Sequence, residues 1–139
     1  MRKGLTVDDL GDLVELPLLA VLATYRRDGR VLLSPVWHEW SGGGFNVVTR
    51  SVDGKARQLR RDPRANIVLC EHVLPYRGVE VQTTARLIDT GVEEATRRIA
   101  SRYLGPAAGA AYAERAEDDL IVRLEPGRLR AWDFADEPG

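Results

Sequence analysis

Every second residue from Val79 to Leu87 is apolar or threonine, and the positions between them carry polar side chains. Successive side chains of a β-strand point to opposite faces, so this alternation predicts a strand with one buried face. Residues 18–25 (LLAVLATY) are nearly all apolar, which predicts a strand that is covered on both sides. Segments of these two kinds recur along the chain and indicate a mainly β protein.

Glycine and proline separate the remaining apolar segments and set the bounds of the predicted elements. Further strands are predicted over residues 31–40, 45–49, 65–71, 120–124 and 129–134. Helices are predicted over residues 6–17, 54–62, 91–103 and 106–115. Most of the strands follow one another through short turns, whereas a parallel sheet would need a helix between most of them. The pattern therefore favours an antiparallel β-barrel with a few short helices, in one domain over residues 1–139.

Composition narrows the classes of function. The chain has 20 Lys and Arg residues against 21 Asp and Glu residues, for a net charge of −1, so it lacks the basic field of a nucleic-acid-binding protein. Cys70 is the single cysteine, which excludes an internal disulfide and argues against a metal site. The sequence has no apolar leader and no apolar run of membrane-spanning length. These features predict a cytoplasmic protein that binds neither nucleic acid nor a membrane.

A cluster of hydroxyl and basic side chains lies at the end of the predicted strand 45–49. Thr49, Arg50, Ser51 and Lys55 fall where this strand ends and a short basic helix begins. Free backbone N–H groups and the helix dipole favour an anion at a helix N-terminus, where cations are otherwise disfavoured. Helix capping is the alternative explanation, and it accounts for Ser51 but for neither cation. We interpret the cluster as a phosphate site.

Pro35 interrupts the predicted strand 31–40. Proline cannot donate a hydrogen bond to a sheet, so this segment must be an edge, a bulge or a break. The exposed backbone beside Ser34 and Trp37 would suit contact with a flat ring. An ordinary edge strand with core tryptophans is the alternative, and a lone histidine such as His38 is more often structural than catalytic.

Three segments together carry a family resemblance: 23–40 (ATYRRDGRVLLSPVWHEW), 47–70 (VVTRSVDGKARQLRRDPRANIVLC) and 76–87 (YRGVEVQTTARL). With them the chain resembles the flavin-binding split-barrel superfamily of pyridoxamine 5′-phosphate oxidase. It is most similar to the branch that uses the deazaflavin coenzyme F420. The resemblance implies a split barrel of six or seven strands that forms a homodimer, with two cofactor sites at the subunit interface.

The resemblance also implies which residues bind the cofactor. The segment that lines the tricyclic ring matches Ser34, Pro35, Val36 and Trp37. The segment that binds the cofactor phosphate matches Thr49, Arg50, Ser51 and Lys55. A basic helix that would meet the acidic glutamate tail of F420 matches Arg57, Arg60 and Arg61. Gly54 stands where the oxidases have a basic residue directly before the lysine, and this departure favours F420 over FMN.

The function implied by the resemblance is an F420-dependent oxidoreductase that transfers a hydride between the reduced deazaflavin and a small organic acceptor. An FMN-dependent oxidase or flavin reductase of the same fold is one alternative. A non-catalytic protein that binds or carries the cofactor is another. Tyr25, His38 and Tyr76 are candidate proton donors, and the sequence assigns no catalytic residue. A nucleic-acid-binding barrel would need a basic face with exposed aromatic residues, which the sequence does not provide.

Overall fold

The computed structural model describes residues 1–137, so residues 138–139 of the predicted domain lie outside the described part. Its eight described strands are β1 Ala20–Tyr25, β2 Val31–Val36, β3 Glu39–Ser41, β4 Gly44–Arg50, β5 Arg64–Cys70, β6 Gly78–Ile88, β7 Asp119–Leu124 and β8 Arg128–Trp132. Its three described α-helices are α1 Gly54–Arg61, α2 Val92–Leu104 and α3 Pro106–Glu114. The prediction of a mainly β fold with a few short helices is confirmed.

The strands form one curled antiparallel sheet with the order β2-β1-β5-β6-β7-β4-β3, and β8 pairs with β6. The long strand β6 organises this sheet. Its first half pairs with β5 on one side and β8 on the other, and its second half pairs with β7. The sheet therefore changes partners along β6 and curls around the core. β2 and β3 stand at the two ends of the order although they are neighbours in the sequence.

The single strand predicted over residues 31–40 is wrong, because β2 ends at Val36 and β3 begins at Glu39. Pro35 still pairs with Val21 of β1, one residue before the end of β2. The backbone N–H of His38 then donates to the Tyr103 hydroxyl at 3.0 Å rather than to a neighbouring strand. The proline thus lies next to the break, as the sequence suggested.

The helix predicted over residues 6–17 is also wrong. Two short 3₁₀ turns, Asp8–Leu10 and Leu13–Glu15, take its place. Gly11 lies between them with a φ of 63°, a left-handed conformation that an α-helix cannot contain. The apolar face was nevertheless identified correctly, since Leu10 and Leu13 are buried in the core.

The core fills the inside of the curled sheet. Phe45 and Val47 of β4 and Val122 and Leu124 of β7 are at most 1% exposed, as their alternating positions require. Helix α2 packs against β4 and β7, and α3 packs against α2. A Cβ atom at Gly109 would lie 2.6 Å from the Cα atom of Ser101, so this glycine allows α3 to approach α2 closely. Within residues 1–137, no helix is both long and apolar enough to span a membrane.

Candidate functional site

A cavity of about 430 Å³ opens between the end of β2, the end of β4 and the α2–α3 hairpin. It has an apolar end and a polar end. The apolar end is lined by Leu19, Pro35, Val36, Trp37, Val48, Ile99, Ala100 and Tyr112. The polar end is lined by Thr49, Arg50, Asp53, Lys55, Thr96 and Asp119. Cavities of a few hundred Å³ with mostly apolar walls and a few convergent polar groups are typical of small-molecule sites.

The apolar wall is built around the Trp37 indole. Trp37 stacks on the Tyr103 ring with a centroid distance of 4.9 Å and an interplanar angle of 11°. The Tyr112 ring meets the indole at 5.3 Å and a tilt of 51°. Offset-stacked and tilted aromatic pairs at these distances are stabilising. The indole is therefore held in one orientation by one ring from α2 and one from α3.

The Tyr103 hydroxyl fixes the backbone beside this wall. It accepts a hydrogen bond from the His38 N–H at 3.0 Å and donates one to the Leu18 carbonyl at 2.8 Å. The neighbouring Arg102 donates to the carbonyl of His38 and, at 3.1 Å, to that of Leu16. The end of α2 thus satisfies the backbone N–H and carbonyl of His38 in the break between β2 and β3, and two carbonyls of the segment before β1.

His38 is buried beneath the wall and does not line the cavity. Its ring meets Phe45 and Tyr103 edge-on, and neither ring nitrogen has a hydrogen-bond partner among the described residues. Burial, together with the charge of Arg102, lowers the pKa of His38 to about 4. His38 is therefore a neutral core residue and not the proton donor that the sequence suggested.

The polar end holds two cations and two carboxylates. Lys55 Nζ lies 3.4 Å from Asp53 Oδ2, and Thr49 Oγ1 donates to the same oxygen at 3.0 Å. Asp119 of β7 is the cross-strand partner of Arg50 at the end of β4. Arg50 is exposed and has no ion-pair partner within residues 1–137. A protein carboxylate thus already accompanies Lys55, which the sequence argument for an anion did not anticipate.

The two carboxyl groups differ in their proton affinity. Burial acts to raise the pKa of Asp53, but the hydrogen bond from Thr49 and the charge of Lys55 outweigh it, so the pKa is lowered. Burial raises the pKa of Asp119, and the charge of Arg50 opposes that rise only in part. Asp53 is consequently a fixed negative charge, and Asp119 is the weaker acid of the two.

Six of the residues predicted to bind a cofactor line this one cavity: Pro35, Val36, Trp37, Thr49, Arg50 and Lys55. Ser34, in β2 directly before Pro35, does not line it. The Ser51 hydroxyl donates to Asp118 at 2.5 Å and lies outside the cavity. The structure therefore brings the ring segment and the phosphate segment together, although their binding roles stay predictions.

The three arginines of α1 are not at this cavity. Arg57 is exposed, and Arg61 donates to the Tyr25 carbonyl at 2.5 Å. Arg60 lines a separate cavity whose other charged residues are acidic. Tyr25 and Tyr76, the other suggested proton donors, lie against Arg64 and Phe134 instead. Within residues 1–137, no group of three or more His, Cys, Asp or Glu side chains could hold a metal ion.

Sequence reasoning missed the part of the site that the helices and β7 supply. Thr96, Ile99 and Ala100 of α2 and Tyr112 of α3 line the cavity, and so does Asp119. The apolar positions of α2 were recognised, but their spacing does not reveal which surface they cover. Asp119 reaches the site because β7 pairs with β4, and that pairing has no local signal in the sequence.

Comparisons with known proteins agree with this architecture. No curated protein matches the sequence. Among solved structures, the conserved hypothetical protein Rv2991 from Mycobacterium tuberculosis is 26% identical with a TM-score of 0.81, covering 97% of this chain and 90% of that chain. An F420 reductase is 24% identical with a TM-score of 0.70, covering 85% of this chain and 93% of that chain. A FAD-binding protein from Mesorhizobium loti is 16% identical with a TM-score of 0.69, covering 94% of this chain and 93% of that chain.

The last two likenesses are below 25% identity and describe the fold alone. They place the curled sheet with its three helices among the flavin-binding split barrels, as the sequence predicted. The family model of pyridoxamine 5′-phosphate oxidase matches residues 7–133, which is nearly the whole chain. The chain therefore belongs to the pyridoxamine 5′-phosphate oxidase family.

Proposed function

We propose that this chain is an oxidoreductase that binds the deazaflavin coenzyme F420 and reduces a small organic acceptor. The observation that carries the proposal is the cavity itself, in which an aromatic wall and a polar end with two cations, Arg50 and Lys55, lie within one continuous space. A tricyclic ring with a phosphate on a short chain has the same division into an apolar and an anionic part. The F420 reductase of similar fold supports the proposal, as does the family.

The apolar end would receive the ring. Pro35 and Trp37 offer a flat surface at the break after β2, and Ile99 and Ala100 face them from α2. Because the indole already packs against the Tyr103 and Tyr112 rings, it would contact a ligand ring without first losing conformational freedom. The cavity volume of about 430 Å³ lies in the range that small-molecule sites occupy.

The polar end would receive the phosphate. Arg50 is available for a charged hydrogen bond because no carboxylate in residues 1–137 forms an ion pair with it. Lys55 is less than one-fifth exposed and lies beside Asp53, so it would have to share its protons between that carboxylate and the ligand. Thr49 is buried, and its hydroxyl lies at this end of the cavity, where it donates to the Asp53 carboxylate beside Lys55.

A bound deazaflavin supplies the hydride, and the chain supplies position and shielding. The α2–α3 hairpin covers the apolar end and reduces the access of water to it. Among the candidate donors from the sequence, none lines the cavity, so a proton for the acceptor would come from solvent or from another group at the cavity. The catalytic residue remains unassigned.

FMN or a related flavin in the same cavity is the second candidate. The FAD-binding protein of similar fold favours it, as does the absence of Arg57, Arg60 and Arg61 from the cavity. Those arginines were the residues expected to distinguish F420 through its acidic tail. Their assignment to the tail stays a prediction.

The proposal is tested by equilibrium titration followed by a turnover assay. Purified protein should quench the fluorescence of added F420 at micromolar concentrations and bind FMN more weakly. The protein with reduced F420 should then reduce at least one member of a panel of enones and quinones. Tight binding of F420 without turnover of any acceptor would leave a cofactor carrier. A yellow protein with an FMN spectrum as purified would favour the second candidate.

We also propose that the chain functions as a homodimer. Leu33 and Val31 are exposed on β2, Leu33 to 64%, and Leu19, directly before β1, is 59% exposed. Leu19 and Pro35 also line the cavity, so a second copy on this face would adjoin the ligand. Sedimentation of the wild type should give a dimer, and Leu33→Glu should give a monomer that binds F420 more weakly. A monomeric wild type would contradict the proposal.

A cytoplasmic location stays a prediction from the sequence.

A further inference from the structure

The polar end of the cavity has no net charge. Arg50 and Lys55 contribute two positive charges, and Asp53 and Asp119 contribute two negative charges. Asp53 holds Lys55 at 3.4 Å and accepts from Thr49 at 3.0 Å, so its carboxylate is fixed in place. Asp119 lies across from Arg50 and accepts no hydrogen bond within residues 1–137. A site with this composition differs from a phosphate site that carries an excess of cations.

The neighbouring cavities add no net positive charge. A cavity of about 510 Å³ shares Asp119 with the main one and is also lined by Arg60, Asp89, Glu93 and Asp118. Three of these four charged residues are acidic. A further cavity of about 340 Å³ shares Arg50 and contains one cation and one carboxylate of its own, Arg115 and Glu117. The nearby charges therefore oppose a ligand with more than one negative charge.

We propose that Asp53 and Asp119 make this site select a phosphodiester, which carries one negative charge, over a phosphomonoester. A phosphomonoester carries about 1.5 to 2 negative charges at pH 7. Arg50 can compensate a single charge, whereas a second would face two carboxylates at short range with no free cation. The inference rests on the proposed function, because it assigns the phosphate to this end of the cavity.

Selection by phosphate charge would favour one cofactor over the other. The phosphate of F420 is a diester, and that of FMN is a monoester. This selection between a diester and a monoester does not need Arg57, Arg60 or Arg61. Gly54 contributes to it only because it carries no charge. The selecting residues would instead be two carboxylates that repel the dianion.

The most direct test compares two ligands that differ only in phosphate charge. FMN and its monomethyl ester share the ring and the ribityl chain. The ratio of their Kd values therefore measures the effect of the second negative charge of the phosphate alone. We expect the wild type to bind the methyl ester about tenfold more tightly than FMN at pH 7.5, from one uncompensated charge at short range. Asp53→Asn and Asp119→Asn should each reduce this ratio by about fivefold to tenfold, mainly by improving the affinity for FMN.

The variants are chosen to preserve the fold. The Asp53 side chain makes no capping hydrogen bond to α1, and the amide oxygen of Asp53→Asn can still accept from Thr49. Asp28→Asn removes one negative charge in the exposed turn between β1 and β2, away from the cavity, and should leave the ratio unchanged. Circular dichroism should show the wild-type fold for all three variants.

The outcomes separate this inference from the proposed function. If F420 and the flavins bind but FMN equals its methyl ester in the wild type, the selection by charge is wrong. It is also wrong if neither Asp53→Asn nor Asp119→Asn changes the ratio. If neither F420, FMN, its methyl ester nor riboflavin binds, the proposed function fails and the inference fails with it.

Discussion

Lowering the pH should destabilise the fold through His38, well before the carboxyl groups titrate. The pKa of His38 is about 4 in the folded protein, against 6.5 for an ordinary histidine. Between these values the unfolded chain binds a proton that the folded protein does not bind, so the free energy of unfolding falls as the pH falls. The contribution of neutral His38 to stability is complete above the pKa of the histidine in the unfolded chain, and it is lost progressively below that pKa.

The size of the effect follows from the two pKa values. Moving from about pH 7.5 to about pH 5 should lower the free energy of unfolding by about 2 kcal/mol through His38 alone. Lowering the pH further, to below 4, would lower the free energy of unfolding by about 3 kcal/mol through His38, but carboxyl groups then titrate as well. The range from 7.5 to 5 is therefore the interval in which the contribution of His38 can be measured separately.

Urea denaturation at the two pH values measures this loss, and two variants control it. His38→Leu keeps a side chain of similar volume without a titrating ring, so it should remove most of the loss. His72→Gln changes the other histidine, which is exposed, and should retain the loss. Equal losses in the wild type and His38→Leu would refute the reasoning, because the proton uptake would then arise elsewhere.

Three other predictions concern the cavity and its supports. Tyr103→Phe keeps the stack on the indole but leaves a backbone N–H and a carbonyl without partners, so urea denaturation should show a loss of about 1–3 kcal/mol. Lys55→Ala should weaken F420 binding by on the order of 1.5–3 kcal/mol in a fluorescence titration, whereas Arg27→Ala, in an exposed turn, should not. Gly109→Ala should push α3 away from Ser101 and cost about 1–3 kcal/mol of stability, with weaker F420 binding; an unchanged melting temperature would contradict the close packing of the two helices.

The β-strands could be predicted because their signals are local. Alternating burial in β6 reflects its one covered face. The apolar run of β1 predicted a strand covered on both sides, but only one of its faces is buried and the other is half-buried. The failures lie where one residue changes the backbone or where a distant group completes a hydrogen bond. The positive φ of Gly11 divides the predicted helix 6–17 into two short turns. The Tyr103 hydroxyl accepts a hydrogen bond from His38 in the break after β2, a break that the sequence suggested only through Pro35.

The site could be predicted only as two separate segments. Residues 34–37 and 49–55 were identified from a proline in a strand and from cations at a helix N-terminus. Nothing local shows that α2 and α3 close the space between those segments, because a helical pattern reports a buried face but not its neighbour. The charge balance was also inaccessible, since Asp119 lies far from Arg50 in the sequence and approaches it only through the pairing of β4 and β7.

A crystal structure of the protein with F420 is the measurement that tests the central claim most directly. We expect the deazaflavin ring to lie against Pro35 and Trp37, with the phosphate within hydrogen-bond distance of Arg50 or Lys55. Electron density for the ring elsewhere, for example on the outer face of β2 at Leu33, would contradict it. So would a phosphate in the acidic cavity beside Asp89, at the opposite side of Asp119.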